Sequence, residues 1–133
     1  MAEETVAIVH RGYEHVTADL EMPADLFDVD IEVDSRGVGA GNFGVIRGLR
    51  PAQAALREYW EMFDHFHVEP EEVIHADEEQ VVTAVRDGGR IKGSDAEVWN
   101  RFFHVWTLRD RKIVRLSIHT DRDHALRAAG LSE

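Results

Sequence analysis

With 133 residues the chain can build one domain around a single core, and it is too short for two ordinary domains. Its 26 acidic residues against 15 basic ones leave a formal net charge of -11, which repels nucleic acid and anionic membrane surfaces before contact. There is no cysteine, so disulfides, thiolate metal ligands and cysteine nucleophiles are excluded together, in keeping with a reducing compartment.

The opening stretch MAEETVAIVHRGYEHV carries acids where a secretory leader has a basic region. No apolar run approaches the roughly 20 residues that cross a bilayer, so a soluble, cytoplasmic protein is expected. Val6, Val9, Tyr13, Val16 and Leu20 recur at three- and four-residue spacing and predict an amphipathic helix. MPADLFD, with a proline ahead of helix formers, predicts a short second helix from about Pro23. The period then becomes two: Phe27, Val29, Ile31 and Val33 alternate with Asp28, Asp30, Glu32 and Asp34, the pattern of a half-buried strand. SRGVGAGNFGVIRG reads as a glycine-rich loop with a short strand at Gly44 to Arg47. From Pro51 a second long helix is expected, with Ala52, Leu56, Tyr59, Trp60 and Phe63 on one stripe.

Four β-rich segments follow, HVEPEEVIHAD, EQVVTAVRD, AEVWNRFFHVWTLRD and KIVRLSIHT, separated by DEE, DGGRIKGSD and RDRK. They predict a meander of antiparallel strands. DRDHALRAAGLSE reads as a closing helix capped by Asp121 and stopped near Gly130. Helices, then strands, then a small helix favour an α+β domain with helices packed on one face of a curved sheet.

This order, together with LFDVDIEVDSRG, IRGLRPAQAALREYWEMF, FFHVWTLRDRKIVRL and ALRAAGL, resembles the SnoaL-like branch of the nuclear transport factor 2-like superfamily, home of ketosteroid isomerases and polyketide cyclases. The resemblance runs from about Val6 to Leu131 and implies a single domain over 1-133. It implies a cone-shaped fold, in which a strongly bent sheet wraps the helices around an apolar pocket. It also implies a small apolar ligand, no cofactor or metal, and a homodimer through the outer sheet face. The activities it suggests are those of an isomerase, cyclase or dehydratase that moves a proton on an apolar cyclic or ketonic substrate. A noncatalytic ligand-binding or dimerisation module of the same fold is the alternative.

His104 resembles the oxyanion-stabilising acid of the isomerases, and an imidazole can donate a hydrogen bond or move a proton there. A core histidine satisfied by a neighbour is the other reading. Asp34 resembles the segment carrying the isomerases' general base, but its parity with Asp28, Asp30 and Glu32 turns it to water unless a bulge rotates it. Where the cyclases carry an acid on the final strand this chain has Ile118, which cannot transfer a proton. Tyr13 could point its hydroxyl into the pocket or pack in the core. Trp60, Phe63, Phe102 and Trp106 would be flat walls or plain core, with Asn100 on the parity of His104. GAGNFG follows a strand but opens no helix, against nucleotide binding. His65, His67 and His75 match no metal spacing and read as a solvated patch.

Overall fold

A computed structural model describes residues 2–131; Met1, Ser132 and Glu133, the ends of the expected domain, lie outside the described residues. The elements are α1 (Ala2–Asp19), β1 (Phe27–Gly37), β2 (Val45–Arg47), α2 (Leu49–Trp60), β3 (His67–Ala76), β4 (Gln80–Arg90), β5 (Glu97–Arg109), β6 (Lys112–His119) and α3 (Arg122–Ala128). The order is that of an α+β domain. All six strands form one sheet in the order β2-β1-β6-β5-β4-β3. Neighbours are antiparallel except β1 and β6, which run parallel.

Each long helix forms because its apolar residues share a stripe. α1 buries Ile8, Val9, Tyr13 and Val16 and lies along β3. α2 buries Ala52, Leu56 and Trp60 and lies against β1; it begins two residues before Pro51, which therefore stands in the first turn, where a missing N–H costs nothing. The short helix expected at Pro23 does not form. Leu26 N–H and Phe27 N–H both donate to the Pro23 carbonyl, at 3.0 and 2.9 Å, and the chain leaves this single turn directly into β1. Too few residues separate Pro23 from the strand to offset the cost of nucleating a helix.

The alternation expected in β1 breaks. Phe27 and Ile31 are buried, but Val29 between them is 62% exposed, and the pairing with β6 shifts register between Phe27 and Glu32. Over that stretch β1 advances five residues while β6 advances two, so Val29 falls where β1 is unpaired, while Ile31, Val33 and Ser35 keep the inward parity of Phe27. Past the shift Val33, Asp34 and Ser35 are all buried in succession.

β4 also differs from expectation: it does not stop at Asp87 but continues through Gly88 and Gly89 to Arg90. Both glycines have φ near +145°, at 143° and 147°, a region that side chains rarely enter. They also let other backbone come close. A Cβ at Gly88 would collide with the Val98 carbonyl oxygen, and one at Gly89 would sit 2.7 Å from the His65 carbonyl oxygen.

The inner face of the sheet and the two long helices enclose the main core. On the outer face Val82, Ala84, Phe103 and Val105 are roofed by α3 through Ala125, which is fully buried. Asp121 caps α3 by accepting from His124 N–H at 2.9 Å. Among the described residues no helix is long and apolar enough to cross a membrane.

Because Gly88 combines a positive φ with backbone contact, Gly88→Ala should lose about 3 kcal/mol or more, an effect of the backbone-strain class. Urea unfolding against wild type measures it; a loss below about 1 kcal/mol would mean the strand can slide without cost.

Candidate functional site

Between the inner sheet face, α1 and α2 lies a cavity of about 500 Å³, a size suited to a small organic ligand. Its wall is mostly apolar and aromatic, and the register of β4 against β5 places its polar groups. Thr83 faces His104, Val85 faces Phe102, and Asp87 faces Asn100, all on the inner parity. Two polar clusters therefore occupy one sheet face about 13 Å apart, with Val85 and Phe102 between them.

The first cluster centres on the Tyr13 hydroxyl. It accepts from Trp106 Nε1–H at 2.8 Å and is hydrogen-bonded to Thr83 Oγ1 at 2.6 Å and His104 Nδ1 at 2.8 Å. The three rings pack tightly, Tyr13 stacked on His104 and Trp106 edge-on to both. Burial pushes the His104 pKa down to about 3, so the ring is neutral near pH 7 and acts as a hydrogen-bonding group, not a cation. Burial also drives the Tyr13 pKa upward, so its proton stays in place.

The second cluster is Tyr59, Asp87 and Asn100. Tyr59 O–H donates to Asp87 Oδ1 at 2.7 Å, and Asn100 Nδ2–H donates to the Tyr59 hydroxyl at 3.1 Å. Asp87 is 5% exposed, and desolvation raises its pKa from 3.8 to about 6 against the opposing effect of the Tyr59 and Asn100 hydrogen bonds. A carboxyl poised there can take or give a proton near neutral pH.

Of the residues singled out from the sequence, Tyr13, Trp60, Asn100, Phe102, His104 and Trp106 share the cavity wall. Ile118 is there too, directly across from His104 on β6. Phe63 is buried behind the wall, edge-on to Tyr59 and bridged to Ile91. Asp34 is buried away from the cavity, whose lining neighbour on β1 is Ser35. Arg36 grips both Asp34 oxygens, at 3.0 and 2.9 Å, and Arg115 reaches Oδ2 at 3.2 Å. Held chiefly by Arg36, the Asp34 carboxyl has its pKa lowered to about 2. The glycine-rich loop forms one rim of the cavity through Val38, Ala40, Asn42 and Phe43. His67 stacks on Trp99, while His75 bonds Asp77 at 2.7 Å. Among the described residues no group of three His, Cys, Asp or Glu is arranged to hold a metal.

Sequence reasoning missed Asp87 and the role of Tyr59. One signal was available: Asp87 keeps the parity of Thr83 and Val85 in VVTAVRD. The following Gly-Gly made it read as the start of a loop.

A SnoaL-like domain model matches residues 9–116, and the chain belongs to that family. No curated protein matches it. Among solved structures, Bal32a from a soil-derived mobile gene cassette superposes with a TM-score of 0.74 at 18% identity, covering 89% of each chain. An LEH-like epoxide hydrolase from M. tuberculosis gives 0.70 at 21% identity, covering 90% of this chain and 84% of that one. A hypothetical protein with ketosteroid isomerase-like fold from Catenulispora acidiphila DSM 44928, in complex with trimethylamine, gives 0.69 at 18%, covering 93% and 92%. At these identities the likeness establishes the fold alone: the nuclear transport factor 2-like cone.

Two outcomes are expected from the cavity's polar groups. Asp87 binds its proton more tightly in the folded chain than in the unfolded one, about 6 against 3.8. Its stabilising contribution is therefore complete below about pH 4 and declines as pH rises through about 6, by about 3 kcal/mol in total. Relative to wild type, Asp87→Asn should gain stability over that window, as urea unfolding at a series of pH values would report; parallel curves would place Asp87 in water. Tyr13→Phe leaves Trp106 Nε1–H without its acceptor and should cost about 1–3 kcal/mol by the same assay.

Proposed function

We propose that the chain is a small-molecule enzyme of the isomerase, cyclase or dehydratase type, transferring a proton on an apolar cyclic or ketonic substrate held in the cavity. The observation that carries this reading is Asp87: a nearly enclosed carboxyl with a pKa near 6, hydrogen-bonded by Tyr59, on the wall of an apolar cavity. In this reading Asp87, not Asp34, is the proton acceptor, because a carboxyl gripped by Arg36 and Arg115 is a weak base and lies off the cavity.

Tyr59 and Asn100 hold the Asp87 carboxyl in one orientation. Proton abstraction beside a carbonyl develops negative charge on its oxygen, which needs a donor. The donors nearest to that oxygen are Tyr59 and Asn100, which already stand beside Asp87. The clusters lie about 13 Å apart along the strands, so neutral His104 would hold a polar group at the far end of the substrate, whose body packs on Phe102 and Trp106. A relative of the fold solved in complex with trimethylamine supports binding of a small molecule.

The noncatalytic alternative rests on Ile118, an apolar side chain across from His104 where the cyclases' acid is expected. A homodimer would pair the outer sheet around Trp99 and Arg101, since α3 already roofs Phe103 and Val105; sedimentation at micromolar concentration reports it.

The deciding experiment screens cyclic ketones, phenols and steroids by thermal shift, then follows proton exchange of each hit by NMR in deuterated water. Asp87→Asn should bind a hit but exchange its carbon-bound protons at least about a hundredfold more slowly, the usual scale of a general base. His104→Phe should weaken binding of the hit, while Asp34→Asn leaves exchange unchanged. Binding without exchange in wild type would favour the noncatalytic module.

A further inference from the structure

The cavity wall carries four ionisable side chains among the described residues, Tyr13, Tyr59, Asp87 and His104, and neither lysine nor arginine. Burial keeps both tyrosines protonated and His104 uncharged. The only formal charge the wall can bear is thus negative, and it belongs to Asp87. The other buried acid, Asp34, has Arg36 and Arg115, and half-buried Glu32 has Arg47 and Arg115. Asp87 has none. The groups bonded to it are Tyr59 from α2 and Asn100 from β5, both neutral, and the next ionisable groups on the wall, Tyr13 and His104, are neutral too. A desolvated carboxylate without a cation is costly, and its cost is relieved either by a proton or by a cation brought by a ligand.

The surroundings suit the second remedy. Tyr59 stands edge-on to Phe66 with ring centres 5.7 Å apart, Trp60 stacks on Phe66 at 6.0 Å, and Phe102 flanks Asn100 on the same sheet face. Aromatic faces around a carboxylate attract an alkylammonium through their quadrupoles, and the net charge of -11 enriches cations near the molecule. We propose that the Asp87 end of the cavity is a receptor for an apolar organic cation, an alkyl- or arylammonium whose charged head sits among Asp87, Tyr59, Trp60 and Phe66 and whose body fills the cavity toward Phe102. Organic anions are refused, since nothing on the wall offsets their charge. The inference rests on the cavity as a ligand site but not on turnover; such a cation would compete with a neutral substrate and hold Asp87 deprotonated.

The test titrates wild type and Asp87→Asn with phenyltrimethylammonium, whose charge is independent of pH, with its neutral isostere tert-butylbenzene, and with benzoate. Binding is read from tryptophan fluorescence, Trp60 and Trp106 lying on the wall. Wild type should bind the cation at about pH 8 and bind it on the order of tenfold more weakly at about pH 5, where most of Asp87 is protonated. Asp87→Asn should lose about tenfold at the higher pH together with the pH dependence, while its affinity for tert-butylbenzene is kept or improved. If the isostere matches the cation in wild type, if benzoate binds better than either, or if the Asn variant keeps the cation, charge selection is overturned and the apolar pocket stands. If neither the cation nor its isostere binds, the cavity is not a ligand site and the proposed function falls with it.

Discussion

The register of β4 against β5 is the constraint on which the site depends. In the observed pairing Thr83, Val85 and Asp87 face inward opposite His104, Phe102 and Asn100. A slip of β4 by one residue would turn Ala84 and Arg86 to the cavity in place of Thr83, Val85 and Asp87, replacing the buried carboxyl with a guanidinium group. Two features oppose that slip. Arg86 lies over the Trp99 ring at 3.9 Å on the outer face, and the backbone contact at Gly88 admits no side chain there. The Gly-Gly pair, which locally looks like the end of a strand, instead holds Asp87 at the cavity.

Asp34 and Asp87 show how far environment outweighs residue type. Both are aspartates on strands, and both are largely buried. The Asp34 carboxylate meets two arginines and stays ionised well into acid, whereas Asp87 meets only neutral donors and is lifted toward neutrality. One is a structural ion pair that ties β1 to β6; the other is available for proton transfer or for a ligand's charge. The two polar clusters of the cavity are likewise unequal, because the Tyr13 hydroxyl is fully engaged by Thr83, His104 and Trp106, whereas Asp87 has only neutral partners.

Local pattern was enough for much of the architecture. The stripes of α1 and α2 and the four long strands lie close to where periodicity puts them, since a helix or a half-buried strand needs only its own repeat and one apolar surface to pack on. The parity of Asn100, Phe102, His104 and Trp106 also survives folding, which is why most of the cavity wall was legible. Parity failed at Val29, where a bulge in the pairing with β6 intervened, and helix propensity failed at Pro23, where the strand begins too soon.

By itself, then, the sequence determined the α+β class, the family likeness, and the side chains that would stand together on the inner face of β5. Only the tertiary structure decided which acid carries usable chemistry. Arg115 reaches Asp34 from 81 positions away, and Asp87 meets Tyr59 from α2 and Asn100 from β5. Periodicity is a property of adjacent residues, but a pKa depends on every group packed around the charge, and those groups meet only when the chain has folded.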